Sequence, residues 1–186
     1  MKGASQSSAA YGIKLLTQTA LLCAIGILIP MFMPIRVLIE PMSFTLASHV
    51  AIFIAMFISP ACAIAVTIGT TMGFFFAGFP IVVVFRAGSH IVYAIFGSLY
   101  LKRHPGLLDK NFQLLFFSFV IAIIHAVAEA LVVIPFYFSG ALNPGFYARG
   151  FVVGIIVLVG VGTVVHSIVD FLIARIVWRP LQKVAN

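Results

Sequence analysis

Seven ionisable side chains lie inside long apolar stretches of the sequence, where charged and imidazole groups are unusual. An Asp, Arg or Lys at the centre of a helix in a lipid bilayer costs roughly 2.5 kcal/mol or more, so such a residue is kept there with a partner or a function. Imidazole, carboxylate and guanidinium groups together can bind a small polar molecule through several hydrogen bonds. The seven residues are His49, Arg86, His90, His125, Glu129, His166 and Asp170.

Two pairs of these residues are four positions apart, and each pair therefore shares one face of a helix. Arg86 pairs with His90, and His125 pairs with Glu129. At about 1.5 Å of rise per residue, both pairs lie at a depth comparable to that of His49, beneath loops on one side. This arrangement predicts a polar cup that takes a small ligand from outside. The predicted substrate-binding residues are His49, Arg86, His90, His125, Glu129, and at the outer rim Tyr137 and Asn143.

Other interpretations of the same residues stay open. Arg86 and Glu129 can pair with each other and join two helices, and each histidine can be a hydrogen-bonded core residue. His166 and Asp170 are also four residues apart, but their position predicts a structural role near the cytoplasmic end. Histidine and carboxylate suit zinc, yet the single spacing from His125 to Glu129 is a weak signal, so we expect no metal.

The composition points to a membrane protein. Of 186 residues, 63% are hydrophobic and 8% are charged, whereas about a quarter of a soluble domain is charged. About 20 apolar residues cross a bilayer as one helix, and a helix satisfies its own backbone hydrogen bonds there. We predict an all-α integral membrane bundle of six transmembrane helices, forming one domain over residues 1–186. The predicted helices cover about 15–33, 43–58, 61–77, 81–101, 112–138 and 146–178.

Basic residues predict the orientation of the chain, because cytoplasmic loops are enriched in Lys and Arg. Eight basic residues fall on the side of the two termini, and only Arg36 and Arg149 fall on the other side. Both termini are therefore predicted to be cytoplasmic. These residues stand at segment ends and form no basic face, so nucleic-acid binding is not expected. The eight are Lys2, Lys14, Lys102, Arg103, Lys110, Arg175, Arg179 and Lys183.

Several catalytic and nucleotide-binding motifs are missing from the sequence. It has no G-x-x-x-x-G-K-[ST] phosphate loop, and no HExxH or G-x-S-x-G motif. We therefore expect no enzyme activity and no cofactor, and the chain cannot bind ATP through a phosphate loop. Three alternatives stay open: an intramembrane metal-dependent enzyme, a self-sufficient permease for small molecules, and a purely structural membrane subunit.

The first apolar segment carries a pair of small residues four positions apart, Ala20 and Ala24. Such a pattern lets helices approach closely in lipid. Together with the stretch from Ser43-Phe-Thr-Leu-Ala-Ser-His-Val50 to Phe57-Ile-Ser-Pro60, with Gly78-Phe-Pro80 and with Arg86-Ala-Gly-Ser-His90, the chain resembles the substrate-binding S components of energy-coupling factor (ECF) transporters. Its nearest resemblance is to the hydroxymethylpyrimidine/pyridoxine or niacin groups of that family.

The resemblance implies a division of labour between subunits. This chain would bind a small heteroaromatic vitamin from outside, with hydroxymethylpyrimidine or pyridoxine as the first expectation and niacin as the second. A transmembrane coupling subunit and two ATPase subunits would drive uptake. Ala20 and Ala24 match the AxxxA motif with which the family docks the coupling subunit. Glu129 facing an aminopyrimidine would favour hydroxymethylpyrimidine, whereas Arg86 facing a carboxylate would favour niacin. If Arg86 and Glu129 neutralise each other, a neutral ligand is favoured, and the sequence does not decide between these outcomes.

Overall fold

The structure, a computed structural model, describes residues 2–39 and 42–185 and consists mainly of helices. The helices are α1 (Lys2–Phe32), α2 (Val50–Ile58), α3 (Pro60–Phe76), α4 (Ile81–Ser89), α5 (Ile91–Arg103), α6 (Asn111–Phe138), α7 (Pro144–Tyr147) and α8 (Gly162–Ala185), with a 3-10 turn at Leu107–Asp109 and a π-helix at Val152–Val161. Strands β1 (Arg36–Ile39) and β2 (Met42–Thr45) pair antiparallel.

Within the described ranges, four helical stretches are long and apolar enough to cross a membrane: Ala10–Phe32, Ile81–Arg103, Asn111–Phe138 and Val152–Gln182. Helix α3 is apolar but shorter. Helix α2 has nine residues and extends only about 14 Å, against about 30 Å of hydrocarbon. The helical membrane architecture is therefore supported, whereas the predicted number of six spanning helices is not confirmed.

The second predicted helix, 43–58, is wrong over its first part. Strand β2 occupies its start, a turn follows, and α2 begins only at Val50. The turn places Ala47 at a φ of 66°, a left-handed conformation that ends any helix. The carboxylate of Asp170 stabilises this turn, because it accepts hydrogen bonds from the backbone N–H groups of Ala47 at 2.8 Å and His49 at 2.9 Å.

The sixth predicted helix, 146–178, also differs from the structure. The short helix α7 comes first, and a turn with Gly150 at a φ of 70° separates it from the long helical stretch. That stretch starts as the π-helix and continues as α8 to Ala185. The fourth predicted helix, 81–101, is likewise interrupted at His90, between α4 and α5.

Helix α2 lies at the centre of the bundle, and its residues from Val50 to Met56 are all buried. Helices α1, α3, α5 and α8 surround it. Helix α1 approaches α3 closely because glycines leave room at the contact: a Cβ atom added at Gly69 would lie 2.6 Å from Sγ of Cys23, and one at Gly26 would overlap Thr70. The outer side of α1, including Ala20 and Ala24, is exposed.

Candidate functional site

Glu129 is the centre of a buried polar network between α4, α6 and α8, and only 3% of its surface is exposed. Its Oε2 atom accepts hydrogen bonds from Nη2 of Arg86 at 2.9 Å and from Oγ1 of Thr163 at 2.7 Å. Its Oε1 atom lies 3.2 Å from Nε2 of His90 and 3.5 Å from Nε2 of His125. Arg86 and Glu129 therefore pair with each other, which was one of the interpretations left open by the sequence. His90 and His125 lie beside this pair.

Asp170 is the centre of a second buried network, and it is fully buried. Besides the backbone of the turn, its Oδ2 atom lies 3.1 Å from Nδ1 of His49 and 3.3 Å from Nε2 of His166. Nε2 of His166 also lies 3.1 Å from Oγ of Ser48. The carboxylate thus fixes both the hairpin-to-α2 turn and the orientation of two imidazole rings.

His49 connects the two networks. Its ring centre lies 4.7 Å from that of His90, 4.7 Å from that of His125 and 4.9 Å from that of His166. His90 and His125 are also 4.7 Å apart. Each of the four histidines is at most 8% exposed. Four buried imidazoles therefore form one cluster around His49, between two carboxylates.

A cavity of about 150 Å³ adjoins this cluster. Its polar wall consists of Ser48, His49, Arg86, His90, Glu129 and His166. Phe44, Phe74 and Phe79 form an aromatic wall. The ring of Phe44 stacks on His166 at 4.6 Å, and Phe74 stacks on Phe79 at 4.7 Å. The cavity is smaller than the 300–1,000 Å³ typical for drug-sized ligands, and its shape favours one small ring.

The cavity lies beneath the hairpin and the turn between α3 and α4. Pro30, near the end of α1, and Phe79, in that turn, both line it. Lys14 is about 24 Å away from Pro30 along α1 at the usual helical rise. Lys14 lines a groove together with Trp178 in the basic second half of α8. The site therefore lies at the end of the bundle opposite to these basic residues.

Local sequence explains how α8 contributes. Thr163, His166, Ser167 and Asp170 recur at spacings of three and four, and all are buried. They therefore form one polar stripe on the inner face of the helix. The π-helix immediately before this stripe is a type of segment that often accompanies functional sites.

The structure brings together five of the predicted site residues. His49, Arg86, His90 and Glu129 line the cavity, and His125 lies directly behind them, with its Nδ1 atom 3.2 Å from Oγ of Ser167. The five residues therefore lie close together, while their role in binding stays a prediction.

Two predicted site residues do not line the cavity. Tyr137 packs against the rings of Tyr147 and Phe151, with ring centres 5.0 and 5.6 Å apart. Asn143 is exposed at the start of α7. The hydrogen bond from the backbone N–H of Leu142 to the hydroxyl of Tyr147, 3.1 Å long, closes the turn there. Tyr137 thus lies at the end of α6, and Asn143 in the loop that follows it.

The structural role predicted for His166 and Asp170 near the cytoplasmic end is wrong in its location. Both residues lie in the cluster around His49, and His166 lines the cavity. The error arose because the predicted helix ended at residue 178, whereas α8 continues to Ala185 and starts after a π-helix. A π-helix advances less per residue than an α-helix, so these residues lie less deep than their number suggests.

Donors outnumber acceptors at this site. Each oxygen of the two carboxylates already has a protein donor or an imidazole nitrogen within about 3.3 Å. In contrast, Nε of Arg86 and Nε2 of His125 have no hydrogen-bond partner among the residues that the structure describes. Nε of Arg86 is always a donor, and buried donors are normally satisfied. The site therefore favours a ligand that accepts hydrogen bonds.

A comparison with curated proteins gives one strong likeness. The chain is 38% identical over 165 residues to the niacin transporter NiaX of Lactococcus lactis subsp. cremoris (strain MG1363), and the match covers 88% of this chain and 72% of the relative. No family model matches the chain, and no solved structure matches it significantly. The likeness to a transporter and the long apolar helices together identify a multi-pass protein of the cell membrane.

Proposed function

We propose that this chain, which belongs to the family of the niacin transporter NiaX and to the S components of ECF vitamin transporters, captures niacin in the cavity beneath the hairpin. Niacin consists of a pyridine ring with one carboxylate. The aromatic wall offers the ring a stacking surface, and Arg86 offers the carboxylate a planar guanidinium that matches its geometry. The observation that carries the proposal is that Arg86 lines the same cavity as the aromatic side chains.

Niacin is a better candidate for the ligand of this cavity than hydroxymethylpyrimidine or pyridoxine. Hydroxymethylpyrimidine and pyridoxine were the first expectation from the sequence, but the comparison gives no support to either, since the relative is named for niacin. The donor excess of the site points the same way, because an aminopyrimidine needs acceptors, and Glu129 and Asp170 already have their partners. A relative that is a transporter also favours transport over the intramembrane enzyme.

ATP-driven uptake by this chain would need partner subunits that bind ATP, because its own sequence lacks a phosphate loop. ECF S components work with a coupling subunit and ATPase subunits. Ala20 and Ala24 are exposed on α1, and only 11% of the most apolar window of this span is buried. We assign the docking of the coupling subunit to this side of α1. The proposal includes cytoplasmic termini and a cavity that opens outward.

Binding to the purified full-length chain in detergent tests the proposal. Isothermal titration with nicotinate is expected to give one site per chain, with weaker binding of pyridoxine and hydroxymethylpyrimidine. The variant Arg86→Gln is expected to lose nicotinate affinity, while Arg149→Gln, which changes an exposed arginine that does not line the cavity, keeps it. A folded chain that releases a different vitamin on denaturation, or binds nicotinate equally well without Arg86, would refute the assignment.

A further inference from the structure

Three imidazoles in the cluster have a nearly threefold arrangement. The ring centres of His49, His90 and His125 are 4.7 Å apart in every pairing, and their planes are inclined by 74° to 84°. Edge-to-face packing of aromatic rings allows centre distances from about 4.5 to 7 Å, and the three distances here are equal and near the short end of that range. Rings that surround one ion form an equilateral set, because each imidazole directs one nitrogen at a common point.

The spacing agrees with that of a metal centre. An imidazole bound to zinc at about 2.0–2.1 Å places its ring centre about 3.2 Å from the ion, so three such rings at octahedral to tetrahedral angles have centres about 4.5–5.2 Å apart. The observed 4.7 Å lies inside this range. One nitrogen or oxygen from each of His49, His90, His125 and Glu129 lies within 4.8 Å of all the others.

Outer hydrogen bonds orient two of these histidines for metal binding. Nδ1 of His49 lies 3.1 Å from Asp170, and Nδ1 of His125 lies 3.2 Å from Oγ of Ser167. Each ring therefore has its Nε2 atom left for another partner, which is how metal-binding histidines are usually held. Nε2 of His125 is fully buried and has no hydrogen-bond partner in the described part of the chain.

We propose that His49, His90, His125 and Glu129 bind one divalent transition-metal ion of the zinc type. Imidazole and carboxylate ligands suit this class of ion. Arg86 contacts Oε2 of Glu129, whereas the histidines face Oε1, so the guanidinium and the ion occupy different sides of the carboxylate. Metal binding stands on this geometry alone and does not require niacin to be the cargo.

A link between the ion and the vitamin rests on the proposed function. With neutral imidazoles, Arg86 supplies one positive charge, and Glu129 and Asp170 supply two negative charges. The metal-free site therefore carries one net negative charge, which opposes a nicotinate anion in a buried, weakly polarisable place. A divalent ion reverses the sign of the net charge, and nicotinate then neutralises it. Metal and nicotinate are expected to strengthen each other's binding equally.

The test uses the full-length chain purified without a polyhistidine tag. The chain is stripped with a chelator, dialysed and titrated with Co²⁺, whose visible absorption reports four- or five-coordinate binding, and then with Zn²⁺ in competition. One ion per chain is expected by elemental analysis. His90→Gln is expected to abolish metal binding. Ser167→Ala, which keeps all four ligands, is expected to weaken metal affinity about 10- to 100-fold.

His104→Ala is the matched control, because this histidine is exposed at the end of α5. This variant is expected to bind the metal as well as the unchanged chain does. Thermal unfolding verifies that the variants remain folded. Metal uptake by the stripped chain that is no greater than uptake by a folded His90→Gln variant would overturn the proposal, and so would a Co²⁺ spectrum that stays that of the hydrated ion.

Niacin titrations separate the two proposals. Zinc-loaded chain is expected to bind nicotinate at least tenfold more tightly than stripped chain. A chain that takes up zinc but binds no nicotinate would keep the metal centre and refute niacin as cargo. A stripped chain that binds nicotinate tightly and binds no zinc would keep niacin as cargo and refute the metal centre.

Discussion

The ion pair between Arg86 and Glu129 makes a quantitative prediction. Glu129→Gln keeps the size of the side chain but removes its charge and puts an amide N–H₂ opposite at least one existing donor. The side chains of Arg86 and Glu129 are only 11% and 4% exposed, so the guanidinium stays buried without a counter-charge. Breaking a buried pair in this way costs about 3–5 kcal/mol.

That loss corresponds to a large shift in thermal stability. For a chain of this size, 1 kcal/mol lowers the unfolding midpoint by about 2–4 °C, so Glu129→Gln is expected to lower it by about 6–20 °C. Circular dichroism of the chain in detergent measures the midpoint. The double variant Arg86→Met/Glu129→Gln removes both charges and is expected to be more stable than Glu129→Gln alone.

The double variant makes the reasoning refutable. If the effects of Arg86→Met and Glu129→Gln on stability simply add, the two residues do not interact energetically in the folded chain. If Glu129→Gln unfolds within about 2 °C of the unchanged chain, the buried pair does not contribute the free energy inferred from its geometry. Asp109→Asn, which changes an exposed carboxylate, is the control.

Two other substitutions separate docking from cavity structure. Ala24→Trp is expected to leave niacin binding intact but to abolish niacin uptake in cells that contain the ATPase and coupling subunits. The control Val165→Trp, on an exposed side of α8, is expected to permit niacin uptake. If Ala24→Trp takes up niacin as well as this control does, docking at α1 is excluded. Asp170→Asn is expected to lower stability by about 1–3 kcal/mol through the loss of charged acceptors and to accelerate hydrogen exchange at Ala47. Unchanged exchange at Ala47 would show that the carboxylate does not hold the turn, and Asp109→Asn serves as its control.

Local spacing was sufficient to predict part of the site. The four-residue intervals from Arg86 to His90 and from His125 to Glu129 place each pair on one helix face whatever the tertiary fold. Because ionisable groups in lipid need partners, the two faces had to meet each other or a ligand. The structure shows them meeting, with Nη2 of Arg86 2.9 Å from Glu129.

The remaining part of the site depends on contacts between distant segments. Asp170 binds a turn more than a hundred positions earlier, and no periodicity in the sequence encodes that pairing. The hairpin that brings Phe44 to the cavity was also missed, because its apolar residues suit a helix as well as a strand. One signal was available: Thr163, His166, Ser167 and Asp170 form a polar stripe at helical spacing, which points inward in a membrane protein.

Helix α1 lies between the two surfaces that the proposed function requires. Ala24 is exposed on its outer side, whereas Gly26, half a turn further along, lines the cavity. A Cβ atom at Gly26 would overlap Thr70, another cavity residue. Since close-packed contacts are not continuously deformable, α1 cannot shift against α3 without changing the cavity wall. A coupling subunit that binds and moves α1 would therefore change the wall of the vitamin site directly. Release of the vitamin would then require no chain of structural changes through other helices of the bundle.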